Sequence, residues 1–62
     1  MTAPEAFRAY LLARRELARA KIATDAAQGP GERERTLSAE ADAAAREREA
    51  LDVLGEAIGA GS

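Results

Sequence analysis

In the first half of the chain the apolar positions recur at helical intervals. Phe7, Leu11, Ala18 and Ile22 fall in one stripe. Tyr10 and Leu17 lie beside it, next to an alanine column at Ala6, Ala13, Ala20 and Ala27. The combined arc is wider than the roughly 100° that one neighbouring helix covers. In the second half Leu37, Ala44, Leu51 and Ile58 recur every seven residues, with Ala41 and Leu54 alongside. Positions seven apart swap faces on a strand but return to one face of a helix. The spacing therefore predicts a leucine seam along a second helix. A smaller column, Ala43, Ala50 and Ala57 with Val53 nearby, marks another face of that helix.

The ends of both helices carry signals. "TAPE" places Thr2 as an N-cap, Glu5 three residues later as the partner in a capping box, and Pro4 in the first turn, where it is tolerated. No Gly or Pro follows until Gly29. "QGPG" then supplies Gly29 to end the first helix in a left-handed conformation and Pro30 to start the second. Glu32 and Glu34 stand near the positive end of that second helix. A later start at Thr36 or Ser38, leaving "GERER" as loop, is the alternative. The expected fold is all-α: an antiparallel hairpin with helices over about 3–27 and 31–58, a turn at 28–31 and a tail without order at 59–62. Folding back brings Phe7, Tyr10, Leu11 and Leu12 near Leu51, Val53, Leu54 and Ile58, and Ile22 near Leu37. The middle of the hairpin is lined by alanine.

Length changes the picture next. A chain of 62 residues makes one small domain and buries only about 60% of its unfolded surface. Small scaffolds compensate with disulfides, metals or oligomerisation. Cysteine and histidine are absent, which removes disulfides and any thiolate or imidazole metal site. Association remains. A second copy would complete a four-helix bundle, through an interface of Phe7, Tyr10, Leu11, Leu17, Ile22, Leu37, Leu51, Leu54 and Ile58. Another helical protein is the alternative occupant of that surface.

Composition adds less. Alanine dominates, and arginine outnumbers lysine eight to one, as a GC-rich genome or a designed sequence would give. Residues 1–28 carry five bases and three acids, a net of +2; residues 29–62 carry four and eight, a net of −4. Halves of opposite sign attract when packed together. No run of about 18 apolar residues is present, so no membrane span is expected. The start of the chain lacks a basic segment followed by an apolar one, which points to the cytosol.

Candidate chemistry is sparse. Glu40 and Glu47 lie near the leucine seam, seven residues apart, as acid–base or cation-binding carboxylates can. Carboxylate metal sites in bundles add a Glu-x-x-His pair, and here no histidine exists. The pair reads instead as charges flanking the contact, opposite Arg14 and Lys21, that set register. Arg8, Arg15 and Arg19 share a face of helix one and are the candidates for phosphate contacts. No aromatic side chain is interleaved for base stacking, and the acids of helix two lie within reach, so a solvated or ion-paired face is the plainer reading. "AREREA" at 45–50 reads as alternating surface charge. Gly55 and Gly59 form a GxxxG outside any apolar span and fray the helix end. Thr2, Thr24, Thr36, Ser38 and Ser62 have no histidine base to activate them. The expectation is a non-catalytic module without cofactor or metal, associating with itself or presenting helix faces to a protein. Two alternatives stand beside it: a nucleic-acid accessory protein using the basic face, and a designed bundle without a biological role.

Overall fold

A computed structural model describes residues 1–60, and it is a helical hairpin. Helix α1 spans Ala3–Ala26 and α2 spans Pro30–Ala60, joined by residues 27–29. Thr2 caps α1. Its hydroxyl accepts the Glu5 N–H at 3.4 Å and donates to Glu5 Oε1 at 2.7 Å, while its carbonyl accepts the Ala6 N–H at 2.9 Å. The capping box forms, with the Glu5 carboxylate accepting from the Thr2 hydroxyl as well as facing the Thr2 backbone.

The turn departs from expectation in one respect. Gly29, at φ 100°, is the one residue with positive φ among those described, but it serves the start of α2 and not the end of α1. Its carbonyl accepts the Arg33 N–H at 3.0 Å, and Glu32 Oε2 accepts the Gln28 N–H at 3.2 Å. Helix α1 instead stops on extended Ala27, whose N–H reaches the Thr24 carbonyl at 3.2 Å. "GERER" is helical, so the later start at Thr36 or Ser38 is overturned. The reason is local: Pro30 suits the first turn, and Glu32 occupies a free N–H beyond it. Helix α2 also takes in Gly59 and Ala60, so of the expected tail only 61–62 remain, outside the described residues.

The packing corrects the expected seam. On α1 the residues withdrawn from solvent are Ala3, Ala6, Tyr10, Ala13, Leu17, Ala20, Thr24 and Ala27. On α2 they are Thr36, Glu40, Ala43, Glu47, Ala50, Leu54 and Ala57, with Val53 beside them. Steps of three and four alternate through both sets, the signature of a heptad contact. Each α1 position i in the seam from Ala3 to Thr24 has an α2 position at 60 − i. Ala6 shares a level with Leu54, Tyr10 with Ala50, and Leu17 with Ala43, so large side chains meet small ones. Leu37, Leu51 and Ile58, the expected seam, are left exposed, as are Phe7, Leu11 and Ile22. The expected clustering of Phe7 and Leu11 against Leu51 and Ile58 inside the hairpin does not occur. The cause lies on α1. Its bulky stripe is interrupted by Arg14, Lys21 and Asp25, whereas its alanine column passes through every turn without a charge.

The result is a single layer of two helices, 49 × 13 × 12 Å across its Cα atoms. Ala6 at 0% exposure and Ala43 at 2% are the best-covered seam positions, and among the described residues Leu54 is the one large apolar side chain that is buried. Thr24, also buried, donates its hydroxyl to the Ala20 carbonyl at 3.1 Å. Its polarity is thus satisfied within α1, which lets it sit in the seam.

Candidate interaction surface

Helical geometry decides where the uncovered apolar residues point. At about 100° per residue, the stripe of Phe7, Leu11, Ala18 and Ile22 is centred about 130° around α1 from its seam. The stripe of Leu37, Ala44, Leu51 and Ile58 is centred about 80° around α2 from its own. Both displacements run in the same sense along the sequence. The helices are antiparallel, so seen from one end these rotations are opposite, and both stripes turn to the same broad side of the hairpin. The ion pair between Arg46 and Glu16, 3.6 Å apart, marks the other side, along with the hollow between Ala9 and Val53.

Six large side chains therefore occupy one side. Phe7 is 50% exposed and Ile22 68%, with Leu11, Leu37, Leu51 and Ile58 between 43% and 58%. These six belong to the surface expected from sequence. The other three members of that set are used inside the chain: Leu54 is buried, and Tyr10 and Leu17 are half-buried along the seam. Leu12 is exposed as well, but it lies on the outer flank of α1 with Arg8, Leu11 and Arg15.

Charges border the apolar side. Glu40 and Glu47 are half-buried members of the α2 column, at the levels of Ala20 and Ala13. Arg14 and Lys21 stand on α1 at nearly the same levels, turned toward the apolar side. The expected ion pairs between these groups are not made. Arg14 instead lies over the Tyr10 ring, 5.8 Å from its centre, and among the described residues Glu16–Arg46 is the ion pair of the hairpin. Cation–π contact at an exposed site contributes about 0.5–1 kcal/mol.

The three candidate phosphate ligands lie elsewhere. Arg8, Arg15 and Arg19 are exposed on α1, outside the seam with α2, and none is ion-paired. Arg19 edges an open groove of about 620 Å³ with Glu16, Ala20, Ala23 and Arg46. The acids of α2 do not neutralise these arginines, contrary to the expectation that they lie within reach. No group of three or more acidic side chains converges among the described residues.

No protein-family model matches this chain, and no curated protein or solved structure matches it. Among the described residues no helix is long and apolar enough to cross a membrane. What the geometry defines is thus a class by shape alone: a two-helix hairpin, closed by alanine and presenting one apolar side.

Proposed function

We propose that this chain is a non-catalytic, self-associating helical hairpin, serving as a small structural, assembly or protein-binding regulatory module. One observation carries the reading: the hairpin closes on alanine and leaves six of its large apolar side chains on a single side. Large apolar side chains gathered on one side of so small a domain suit a surface that another protein covers. A single layer of two helices has no inside in which to hide it, and a second hairpin laid on that side creates one. Sedimentation equilibrium tests the reading. A concentration-dependent dimer is expected in the micromolar range, and a folded monomer throughout that range refutes it.

A second reading has its own support in the unpaired Arg8, Arg15 and Arg19 on α1, outside the seam. Arg8 and Arg15 line a hollow with Leu11 at the margin of the apolar side, so phosphate contacts there adjoin the self-association surface. Binding to DNA or RNA that strengthens as salt is lowered, and weakens when the three arginines are replaced, is the expected result. No binding at low salt removes this reading.

A further inference from the structure

We infer that the second copy docks with its turn at the same end, so that α1 of each hairpin lies against α2 of the other. The inference rests on the self-association proposed above and adds its geometry. Two hairpins that meet through their apolar sides are related by a two-fold axis lying in the contact plane. That axis runs either along the hairpin or across it, and the two cases bring different residues together.

With the axis along the hairpin, every residue keeps its level, and α1 faces α2 of the other copy. In the register of the seam, Arg14 lies one residue from the level of Glu47, and Lys21 one residue from the level of Glu40. Each base of one copy then meets a carboxylate of the other. Ile22 meets Leu37, and Phe7 and Leu11 meet Leu51, at levels matched to within two residues. The +2 half of the chain sits beside the −4 half twice over.

With the axis across the hairpin, levels are reversed and α1 faces α1. The apolar group at Phe7, Leu11 and Leu51 must then fall on the group at Ile22 and Leu37. The axis that achieves this passes between Arg14 and Lys21. It sets Arg14 of one copy between Arg14 and Lys21 of the other, about four residues from each, and Glu40 within two residues of Glu47. Sliding the copies apart to relieve this repulsion separates the apolar groups. Like charges facing each other at a helical contact are a recognised means of excluding a pairing. These four charges also have no ion-pair partner within the chain, so they are available to select between the two arrangements.

The absence of cysteine makes the test direct. A Gln28→Cys variant carries one spin label per chain, in the turn. Dipolar spectroscopy on the dimer should give a distance below about 30 Å, a few helix diameters. A distance near the 49 Å length of the hairpin overturns the orientation while leaving self-association standing. A monomeric mass with no dipolar signal overturns self-association, and the docking with it. Charge reversal supplies a second measurement. Arg14→Glu with Lys21→Glu, and separately Glu40→Lys with Glu47→Lys, should each weaken self-association at least tenfold while retaining helicity. Their equimolar mixture should recover a one-to-one dimer. Native-strength dimerisation of either variant alone refutes the charge selection.

Discussion

Glu16 and Arg46 form an ion pair, 3.6 Å apart, that ties α1 to α2 on the side of the hairpin away from the apolar stripes. The two side chains are 48% and 61% exposed, so solvent and salt screen the attraction. Exposed pairs of this kind contribute about 0–1 kcal/mol. Glu16→Gln should lower the urea midpoint only slightly, and the difference from the native chain should vanish at high salt. A large, salt-independent loss in chemical denaturation would mean that this contact, and not the alanine seam, holds the hairpin together.

The seam is where a small change should matter most. Ala43 is 2% exposed and shares a level with Leu17. Ala43→Leu forces three extra carbons between helices that meet through small side chains, and overpacking of this kind costs about 1–3 kcal/mol. Ala39, exposed on the same helix, is the control, since surface substitutions away from contacts stay within about 0.5 kcal/mol. Urea unfolding of Ala43→Leu and Ala39→Leu at equal concentration should separate the two by at least about 1 kcal/mol.

The helices were legible in the sequence because their signals are local. Thr2 with Glu5, and Pro30 with Glu32, fix the starts through backbone hydrogen bonds that neighbouring side chains complete. The seam was harder to read, because hydrophobicity points to the wrong column. Leu37, Leu51 and Ile58 outrank Ala43, Ala50 and Ala57 on any transfer scale, so a period of seven among leucines draws attention first. The signal that identifies the contact is continuity: the alternating steps of three and four from Ala3 to Ala27 have a counterpart on α2 at every level but the last. The nine-residue surface expected from sequence divides for the same reason. Leu54, Tyr10 and Leu17 fall on the continuous column, and the other six do not.

That division makes Leu51 diagnostic. It is half-exposed in the single hairpin, where Leu51→Ser should change helicity at low concentration very little. In a dimer closed over the apolar side it loses a buried leucine and leaves a hydroxyl in its place. Self-association should weaken at least tenfold, and the dependence of melting temperature on concentration should flatten. Sedimentation equilibrium of Leu51→Ser beside the native chain measures this. Unchanged association would place the contact on another surface.

Acid should loosen the start of α1 in a predictable way. The hydrogen bond from the Thr2 hydroxyl, then the Thr2 backbone contact and more weakly the N-terminal ammonium, hold the Glu5 carboxyl below the ordinary glutamate value. A depressed folded-state value means that the stabilisation is present above the ordinary value, and is lost as pH falls through the folded-state one. Thr2→Ala removes the cap at a cost of about 1 kcal/mol and should move the Glu5 titration up toward the ordinary value, since the hydroxyl is the largest cause of its lowering. Side-chain carboxyl titration by NMR reads both states directly. An unchanged Glu5 titration in Thr2→Ala would rule out the hydroxyl as its cause.

Gly29 in the turn and Gly31 at the start of α2 should respond in opposite directions. Neither position crowds an added Cβ: nothing lies within 4 Å of one built at Gly29 or at Gly31. Any difference therefore comes from the backbone. Gly29 sits at φ 100°, where an L side chain meets its own carbonyl oxygen, a strain of about 1–2 kcal/mol. Gly31 lies in the first turn of α2 with ordinary helical dihedrals, where glycine costs up to about 1 kcal/mol relative to alanine. Gly29→Ala should lower the urea midpoint and Gly31→Ala should raise it, with the slope of the transition unchanged in both. The pair also separates the two accounts of "QGPG". If the chain turned elsewhere and α2 began at Thr36 or Ser38, Gly31 would lie in a loop, and its replacement would lack the helical gain. Equal and small effects at the two sites would reject the turn described here, because its left-handed residue is then not confined to Gly29.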